Sequence, residues 1–562
     1  MTESPTAITE KPQSRAVARI GWAILIIATL YVCYFSHLGA IGFVGPDEPR
    51  YAWIARDMAE TGDWVTPRLY GKPWFEKPPL LYWGAALSFK LLGVSEAAAR
   101  LPSAISALLA TLSMAWLAWR LYGAETARWL LLLLPTTVGM IGFSHAAATD
   151  MPFSGMLTIA MVCAAVVLGL TRNENSPIIP RTPWLALVLF GFFLGLAVLA
   201  KGPAAIILSG GAVFFWALFT KRWRDAFRLF HPAAIAAFCL TALPWYILCA
   251  RRNPDFFRIF VIEHNFKRFL TPEFQHIQPF WFYVPVTLAA LLPWSIFSIC
   301  AGISGAQELW RSRSLPLVSY FLSCWIAFTL FFFTISRSKL PGYILPALPP
   351  LALLTARAVV AHLEKRSGRW VLCAGGLTLV VMGVLAFHFS YKIPFVTDIF
   401  PSHGVSELSM FATVGGLLTA VIAFNRRLRT ATLVLALTVF SLLSTSLSRE
   451  DFVELDAGVS GRPMVKTALE HMTPEQASGA TVFRLRRAYK YQVDFYLHRE
   501  TEEWSPQTER HSIIFTDYKN SQEIVRLGGE CPPYIAFPAV WVCEGKSGEI
   551  LVPAPARSGQ PQ

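Results

Sequence analysis

Long apolar runs, repeated along most of the chain, constrain the fold of this sequence more than any other feature. Runs of roughly 17 to 25 residues recur between residues 20 and 447, and an α-helix needs about this length to cross the bilayer core. Hydrophobic residues make up 54% of the 562 residues and charged residues only 15%, whereas charged residues form about a quarter of a soluble domain. The sequence therefore predicts a polytopic α-helical membrane protein.

The apolar runs predict about thirteen transmembrane helices. They lie at 20–40, 101–119, 128–144, 151–171, 183–200, 203–220, 232–250, 281–302, 316–335, 343–360, 370–389, 408–424 and 431–447. The segment 80–93 is too short to cross comfortably, so we expect an amphipathic helix in the outer membrane interface. No small-x-small cleavage site follows 20–40, so we expect this run to be a retained span and not a signal peptide.

Basic residues predict the orientation. Residues 1–19 carry Lys11, Arg15 and Arg19, which by the positive-inside rule places the N-terminus in the cytoplasm. The alternation then puts the later basic loops inside: Arg120 and Arg128, Arg172 and Arg181, 221–224 with Arg228, Arg311 and Arg313, Lys365, Arg366 and Arg369, and Arg426, Arg427 and Arg429. The net charge of +13 is spread over these short loops, which indicates a topology signal and excludes a nucleic-acid partner.

The chain changes character after residue 447. Residues 448–562 are richer in charged residues, Gly and Pro, and their number suits one small core. After an odd number of crossings, they are expected to form a small α/β soluble domain on the outer side. Cys531 and Cys543 lie close together in this segment, in a compartment that permits a disulfide, although spacing alone does not fix the pairing.

Ionisable residues concentrate on the expected outer face of the membrane domain, 20–447. Asp47, Glu48 and Arg50 follow the first span and open the outer loop 41–100. A carboxylate near the hydrocarbon is costly unless it is paired, hydrated or used, so such residues are functional candidates. A site facing outward cannot reach cytoplasmic nucleotide sugars or ATP, so its activated substrate is expected to be delivered by a lipid. The other ionisable outer positions are Glu76, Lys77, Asp150, Lys201, 251–278 and 336–342.

Three ordered motifs carry a family resemblance. They are Asp-Glu-Pro-Arg-Tyr at 47–51, Glu-Lys-Pro-Pro at 76–79, and Ser-Lys-Leu-Pro-Gly-Tyr-Ile-Leu-Pro at 338–346. Together they resemble the aminoarabinose transferases that modify lipid A, which are similar to protein O-mannosyltransferases and have the GT-C fold of membrane glycosyltransferases. The segment 491–499 is similar to a strand and turn in related enzymes.

The resemblance implies an inverting glycosyltransferase in the bacterial inner membrane. It would move an aminoarabinose-like sugar from a polyprenyl phosphate donor to lipid A or another envelope acceptor. Such chemistry needs a lipid groove, cations for the phosphate, and a carboxylate near the anomeric carbon. We expect the leaving phosphate to be held by four cationic side chains, those of Arg50, Lys77, Lys201 and Lys339. Tyr343 would supply a hydroxyl beside them.

Asp47 is the expected central carboxylate. It would act as a general base if the acceptor is a hydroxyl, and would orient the sugar if the acceptor is an ionised phosphate. Asp150 matches the second acidic position of the family, but Thr149 and Asp150 before Pro152 also fit a helix cap. Lys201 is either a phosphate ligand or a snorkelling residue. Glu48 is a third acidic candidate. The carboxylate that faces the ammonium of an amino sugar could be Glu48, Asp150 or a residue of the C-terminal domain.

Glu76 and His264 are the candidate metal ligands that the resemblance implies. The ion would be zinc, magnesium or manganese. Zinc usually takes three or four protein ligands, and a lone loop histidine is more often a surface hydrogen-bonding group. The surrounding run 251–269, rich in Phe and basic residues, is expected to be an interfacial helix that borders the acceptor lipid or anchors the chain.

Two rival functions stay open. The first is transfer of another sugar, such as mannose, galacturonic acid or arabinose, to protein or glycan. The second is a polyprenyl-linked sugar transporter, or a protein that only binds the polyprenyl lipid. Transporters tend to show internal repeats and polar groups at mid-membrane, whereas the polar residues here lie at one face and no repeat is evident.

Overall fold

Helices dominate the structure, a computed structural model that describes residues 12–171, 183–260, 278–364, 368–390, 402–425, 455–505, 513–526, 530–531 and 541–544. The helices of the membrane domain are α1 Pro12–Tyr34, α2 Asp47–Thr61, α3 Leu80–Leu92, α4 Glu96–Tyr122, α5 Ala124–Leu133, α6 Val138–Ser144, α7 Asp150–Val167, α8 Trp184–Lys201, α9 Ala204–Thr220, α10 Trp223–Phe227, α11 Pro232–Arg252, α12 Tyr283–Ala290, α13 Ser295–Ser312, α14 Leu317–Ile335, α15 Leu348–Glu364, α16 Gly368–Ser390 and α17 Ser402–Ile422. Short 3-10 helices cover Arg228–Phe230 and Pro341–Ala347.

The apolar helices confirm a polytopic membrane protein. Among the described residues, six helical segments are long and apolar enough to cross a membrane: α4, α7, α8, α11, α14 and Pro341–Leu363. Two bent pairs raise this number to eight, with α5 and α6 diverging by 60° and α12 and α13 by 117°. The expected span 431–447 lies outside the described residues.

The run 281–302 differs from the straight span expected there. It forms α12 and α13, which meet at Leu291–Trp294 and point in widely different directions. Pro293 lies between them and lacks the N–H that a continuous helix needs. The chain therefore turns at this point instead of crossing in one helix.

The helix α7 lies at the centre of the membrane domain, with 89% of its apolar window buried. It is apolar all round, as expected of a helix enclosed by others. Small residues allow close packing, since a Cβ at Gly155 would lie 2.7 Å from the carbonyl oxygen of Ser106 on α4. This packing fixes Asp150, the first residue of α7.

The first outer loop folds as a compact unit between α1 and α4. It contains α2, a short hairpin of β1 Arg68–Leu69 and β2 Lys72–Pro73, and α3. Ile54 and Met58 of α2 pack with Tyr82 and Phe89 of α3 in one core. The expected short helix at 80–93 is present as α3.

The segment from residue 455 carries a second fold. It comprises α18 Arg462–His471, α19 Pro474–Gly479, α20 Arg487–Leu497 and α21 Tyr518–Arg526, with strands β3 Thr481–Val482, β4 Ile513–Thr516 and β5 Trp541–Glu544. Strand β3 pairs parallel with β4, and β4 pairs antiparallel with β5. A disulfide joins Cys531 to Cys543 of β5, so the structure forms the candidate bridge.

The expected strand at 491–499 is wrong, because most of it belongs to α20. Tyr489, Val493, Tyr496 and Leu497 lie on one side of the helix and pack into the C-terminal core. Their spacing of four, three and one residues is typical of a helical face. His498 then adopts a left-handed conformation with φ of 56° and ends the helix.

The expected interfacial helix at 251–269 is described only in part. Helix α11 ends at Arg252, and a short helical turn follows. Phe256 and Phe260 stack with ring centroids 5.5 Å apart, and both are buried. Residues 261–277, including His264, lie outside the described residues.

Candidate active site

Asp47 begins α2 and faces solvent. Its carboxylate pairs with Arg50 one turn along the helix, and an acidic group in the first turn is favoured by the helix dipole. The two partners differ in burial, since the side chain of Asp47 is 52% exposed and that of Arg50 is 5% exposed. The pair therefore presents a carboxylate outward from a fixed, buried guanidinium.

Arg50 connects two of the sequence motifs. Its Nη1 atom lies 3.0 Å from Oε2 of Glu76, and Oε1 of Glu76 lies 3.7 Å from Nζ of Lys77. Burial alone lowers an arginine pKa, but Glu76, Tyr51 and Asp47 outweigh this effect, and the pKa of Arg50 is raised. Arg50 therefore stays charged. Its buried Nε atom has no hydrogen-bond partner among the described residues.

Asp150, Lys201 and Tyr343 form a second set. Lys201 is the last residue of α8, and its Nζ atom pairs with Oδ1 of Asp150 at the start of α7. The same ammonium lies 4.4 Å from the ring centroid of Tyr343. The side chain of Thr149 makes no capping hydrogen bond, so the structure favours the ion-pair role of Asp150 over the helix-cap alternative.

Lys339 lies on the same outer segment as Tyr343. Its side chain is 8% exposed, and Nζ donates to the carbonyl oxygen of Gln278 at 3.2 Å. Tyr283 supports this segment, since its hydroxyl donates to the carbonyl of Leu340 at 3.3 Å. The ammonium is therefore held between the residues that precede α12 and those that follow α14.

Glu48 has a position that does not suit a catalytic role. Both of its oxygens accept from the buried Arg100, at 3.0 and 2.8 Å. They also accept from the backbone N–H groups of Val44 at 2.7 Å and Ala147 at 2.6 Å. These four donors engage the oxygens of a buried carboxylate, which suits a structural role better than the expected catalytic one. It instead ties the start of α2 to the loop that leads to Asp150.

Sequence reasoning missed Arg100 and the contribution of α20. Arg100 also donates to the carbonyls of Leu38, Ile41 and Gly42. In the sequence it is a single arginine beside an apolar run, which is a weak signal for a buried structural ion pair. The ring of Tyr491 on α20 lies 5.5 Å from Cζ of Arg50. The C-terminal segment therefore borders the pair of Asp47 and Arg50, which we call the Asp47 set.

The metal expectation rests on Glu76 and His264. The described residues contain no cluster of three His, Cys, Asp or Glu that could hold a metal ion. Glu76 contacts two cationic side chains, Arg50 and Lys77, which suits an anchoring carboxylate more than a metal ligand. His264 lies outside the described residues, so no step is derived through a metal.

A family model agrees with the first half of this architecture. Residues 20–260 match the model described as dolichyl-phosphate-mannose-protein mannosyltransferase. This range includes both acidic positions, Asp47 and Asp150, together with Lys77 and Lys201.

Curated relatives extend the similarity. The undecaprenyl phosphate-alpha-4-amino-4-deoxy-L-arabinose arabinosyl transferase of Edwardsiella ictaluri is 32% identical over 408 residues, which cover 72% of this chain and 70% of the relative. The enzyme of the same name from Erwinia tasmaniensis is 34% identical over 343 residues, which cover 61% of this chain and 59% of the relative.

A solved structure shares the fold. The crystal structure of ArnT from Cupriavidus metallidurans bound to undecaprenyl phosphate superimposes with a TM-score of 0.72 at 22% identity, covering 95% of this chain and 99% of that one. The apo form of the same protein gives the same TM-score, with 94% and 98% coverage. The expected GT-C architecture is therefore confirmed.

Proposed function

Because the chain belongs to the family of undecaprenyl phosphate-aminoarabinose arabinosyl transferases, we propose that it transfers an aminoarabinose-like sugar from a polyprenyl phosphate donor to lipid A. It is a membrane glycosyltransferase of the GT-C class. The relatives are named for an undecaprenyl phosphate donor, and the solved neighbour holds undecaprenyl phosphate.

One observation carries the proposal: two acid–cation sets, one at the start of α2 in the first outer loop and one where α7 begins and α8 ends, are linked through Glu48. Asp47 with Arg50 forms the first set and Asp150 with Lys201 the second. Glu48, next to Asp47, accepts from the N–H of Ala147, three residues before Asp150. An anionic, membrane-borne substrate fits between such sets, because its phosphate needs cations and its sugar needs carboxylates.

The cations would hold the donor phosphate as negative charge grows on it. Arg50 stays charged between Asp47 and Glu76, and the ammonium of Lys201 is fixed by Asp150 and Tyr343. Lys77 and Lys339 supply further positive charge. Groups fixed in advance stabilise a developing anion without reorganising during the reaction.

The reaction is a single displacement at the anomeric carbon. An acceptor oxygen forms a bond to this carbon while the bond from the carbon to the donor phosphate oxygen breaks. The polyprenyl phosphate leaves with the bonding electrons, and the anomeric configuration inverts. If the attacking group is a phosphate oxygen of lipid A, it is already ionised, and Asp47 orients the sugar. If it is a hydroxyl, Asp47 accepts its proton.

The proposal also includes the topology of the chain in the membrane. The chain would cross the bacterial inner membrane about thirteen times, with the N-terminus in the cytoplasm and the C-terminal α/β segment on the periplasmic side. The basic loops support the orientation through the positive-inside rule. The Cys531–Cys543 disulfide also supports it, since disulfides persist in the periplasm.

Mass spectrometry of lipid extracts tests the function. We would compare a host deleted for this protein with the same host carrying the wild type or Asp47→Asn. We expect a sugar-sized mass on lipid A only with the wild type, and accumulation of the polyprenyl-linked sugar in the other two. If lipid A is the same in all three strains while the donor accumulates without the wild type, the acceptor is another molecule. If the donor accumulates in none of them, transport or binding is favoured.

A further inference from the structure

A cluster of basic residues lies at the start of α20, on the edge of the Asp47 set. It consists of Arg486, Arg487 and Lys490, and we call it the basic rim. Arg486 and Arg487 are exposed, and Lys490 is half-buried.

Tyr491 connects the basic rim to the site. Nε of Arg487 donates to the hydroxyl of Tyr491 at 3.2 Å, and its Cζ atom lies 5.4 Å from the ring centroid. Cζ of Arg50 lies 5.5 Å from the same centroid. Two guanidinium groups therefore contact one ring, Arg50 inside the site and Arg487 at its solvent edge.

The two guanidinium groups differ in charge compensation. Arg50 is paired with Asp47 and Glu76. In the part of the chain that the structure describes, neither Arg486 nor Arg487 forms an ion pair with a carboxylate, and each lies over a tyrosine ring. The basic rim therefore adds uncompensated positive charge beside the site.

The helix that carries the basic rim is fixed on the outer loop. The hydroxyl of Tyr70 donates to Oδ2 of Asp494 at 2.6 Å, and that of Tyr496 donates to Oε1 of Glu96 at 2.6 Å. Lys490 is held as well, since its Nζ atom donates to the carbonyl of Thr501 at 3.0 Å. The arginines thus extend from a backbone that is already positioned, which lowers the entropic cost of binding.

We propose that the basic rim binds a phosphate of the anionic acceptor next to Arg50, so that the C-terminal segment forms the acceptor wall of the site. The inference rests on the proposed function and names which part of the chain meets the acceptor. A guanidinium suits this task because its planar N–H groups match phosphate oxygens in pairs. The proposed function already assigns Lys77, Lys201 and Lys339 to the donor phosphate.

Steady-state kinetics of the purified full-length protein tests this assignment. We would vary lipid A at saturating undecaprenyl phosphate-aminoarabinose, and then vary the donor at saturating lipid A. For Arg487→Gln we expect KM for lipid A to rise by up to about fivefold, as for loss of one charge pair at an exposed site. KM for the donor and kcat should stay at the wild-type values. Because the side chain is exposed, the variant should fold normally.

Arg484→Gln is the matched control. Arg484 lies on the same segment, but its guanidinium pairs with Glu523 at 2.6 Å, and removing it changes the net charge equally. This control should keep the wild-type KM for lipid A. An equal effect of both variants would indicate a general charge effect and overturn the assignment.

Three further outcomes would overturn the assignment. A rise in donor KM alone for Arg487→Gln would assign the basic rim to the donor phosphate. Unchanged constants would show that the acceptor does not contact Arg487, while wild-type transfer would still support the proposed function. Absence of wild-type transfer to lipid A would overturn the proposed function, and this inference with it.

Discussion

Glu48 and Arg100 form a buried ion pair, with Nε of the arginine 3.0 Å from one carboxylate oxygen and Nη2 2.8 Å from the other. Removing one partner of such a pair leaves an uncompensated buried charge, which costs about 3–5 kcal/mol. We therefore expect Glu48→Ala to lower both Tm and transfer activity, which thermal unfolding in detergent and a transfer assay will measure. A loss of activity at unchanged Tm would contradict the structural role and return Glu48 to the catalytic residues.

Gly342 lies directly against Asp150, because a Cβ at this position would be 2.7 Å from Oδ1 of the carboxylate. We expect Gly342→Ala to displace Asp150 from Lys201 and slow transfer by on the order of 100-fold, since small misplacements in a site have effects of this size. Gly210→Ala is the control, because a Cβ there meets nothing within 4 Å. Equal rates for the two variants would show that the position of Asp150 does not matter.

Asp494 makes the docking of α20 depend on pH. Burial raises the pKa of this carboxyl, although hydrogen bonds from Thr501 and Tyr70 oppose the shift. A raised folded pKa means that the folded state binds the proton more tightly. The contribution of Asp494 to the free energy of unfolding is therefore greatest below the unfolded pKa of about 3.9, and it falls as pH rises through the folded pKa.

Asp494→Asn removes this titration while keeping groups that can bond to Thr501 and Tyr70. We expect the Tm difference between the variant and the wild type to grow in favour of the variant from about pH 4 towards neutral pH. Scanning fluorimetry of both proteins across this pH range measures the Tm difference. A difference that does not change with pH would show that Asp494 does not titrate between the two states.

Two measurements distinguish an anchoring role of Glu76 from a metal-binding role. If it anchors Arg50 and Lys77, Glu76→Gln should reduce kcat by on the order of 100-fold, and a chelator should leave the wild-type rate unchanged. The two measurements use the same transfer assay. Inactivation of the wild type by chelator, with recovery on adding zinc, magnesium or manganese, would instead assign a metal to Glu76.

Sequence alone could predict the membrane class and most of the helices, because apolar runs of spanning length leave few alternatives. It could also indicate that the residues of the three motifs share one face. It could not predict the break between α12 and α13, since apolar composition continues through Pro293 and only packing shows how the chain turns.

The role of Glu48 was equally hidden from sequence. Its partner Arg100 lies 52 residues away, and a motif that places two acids side by side does not show which one is buried. Tyr491 belongs to the segment 491–499, whose residues are typical of a strand. The sequence therefore predicted a strand where the structure has the helix α20. Its contact with Arg50 joins parts of the chain that are distant in sequence.

The central claim is that Asp47 serves sugar transfer from a polyprenyl phosphate. The most direct test incubates the purified protein with undecaprenyl phosphate-aminoarabinose and lipid A and follows the product by mass spectrometry. Asp47→Asn is compared with Asp225→Asn, which alters a pair with Arg228 at the same i,i+3 spacing in a loop expected on the cytoplasmic side.

We predict that the wild type and Asp225→Asn add the sugar to lipid A at equal rates, and that Asp47→Asn is slower by at least about 100-fold at an unchanged Tm. Transfer by Asp47→Asn at the wild-type rate would contradict the account.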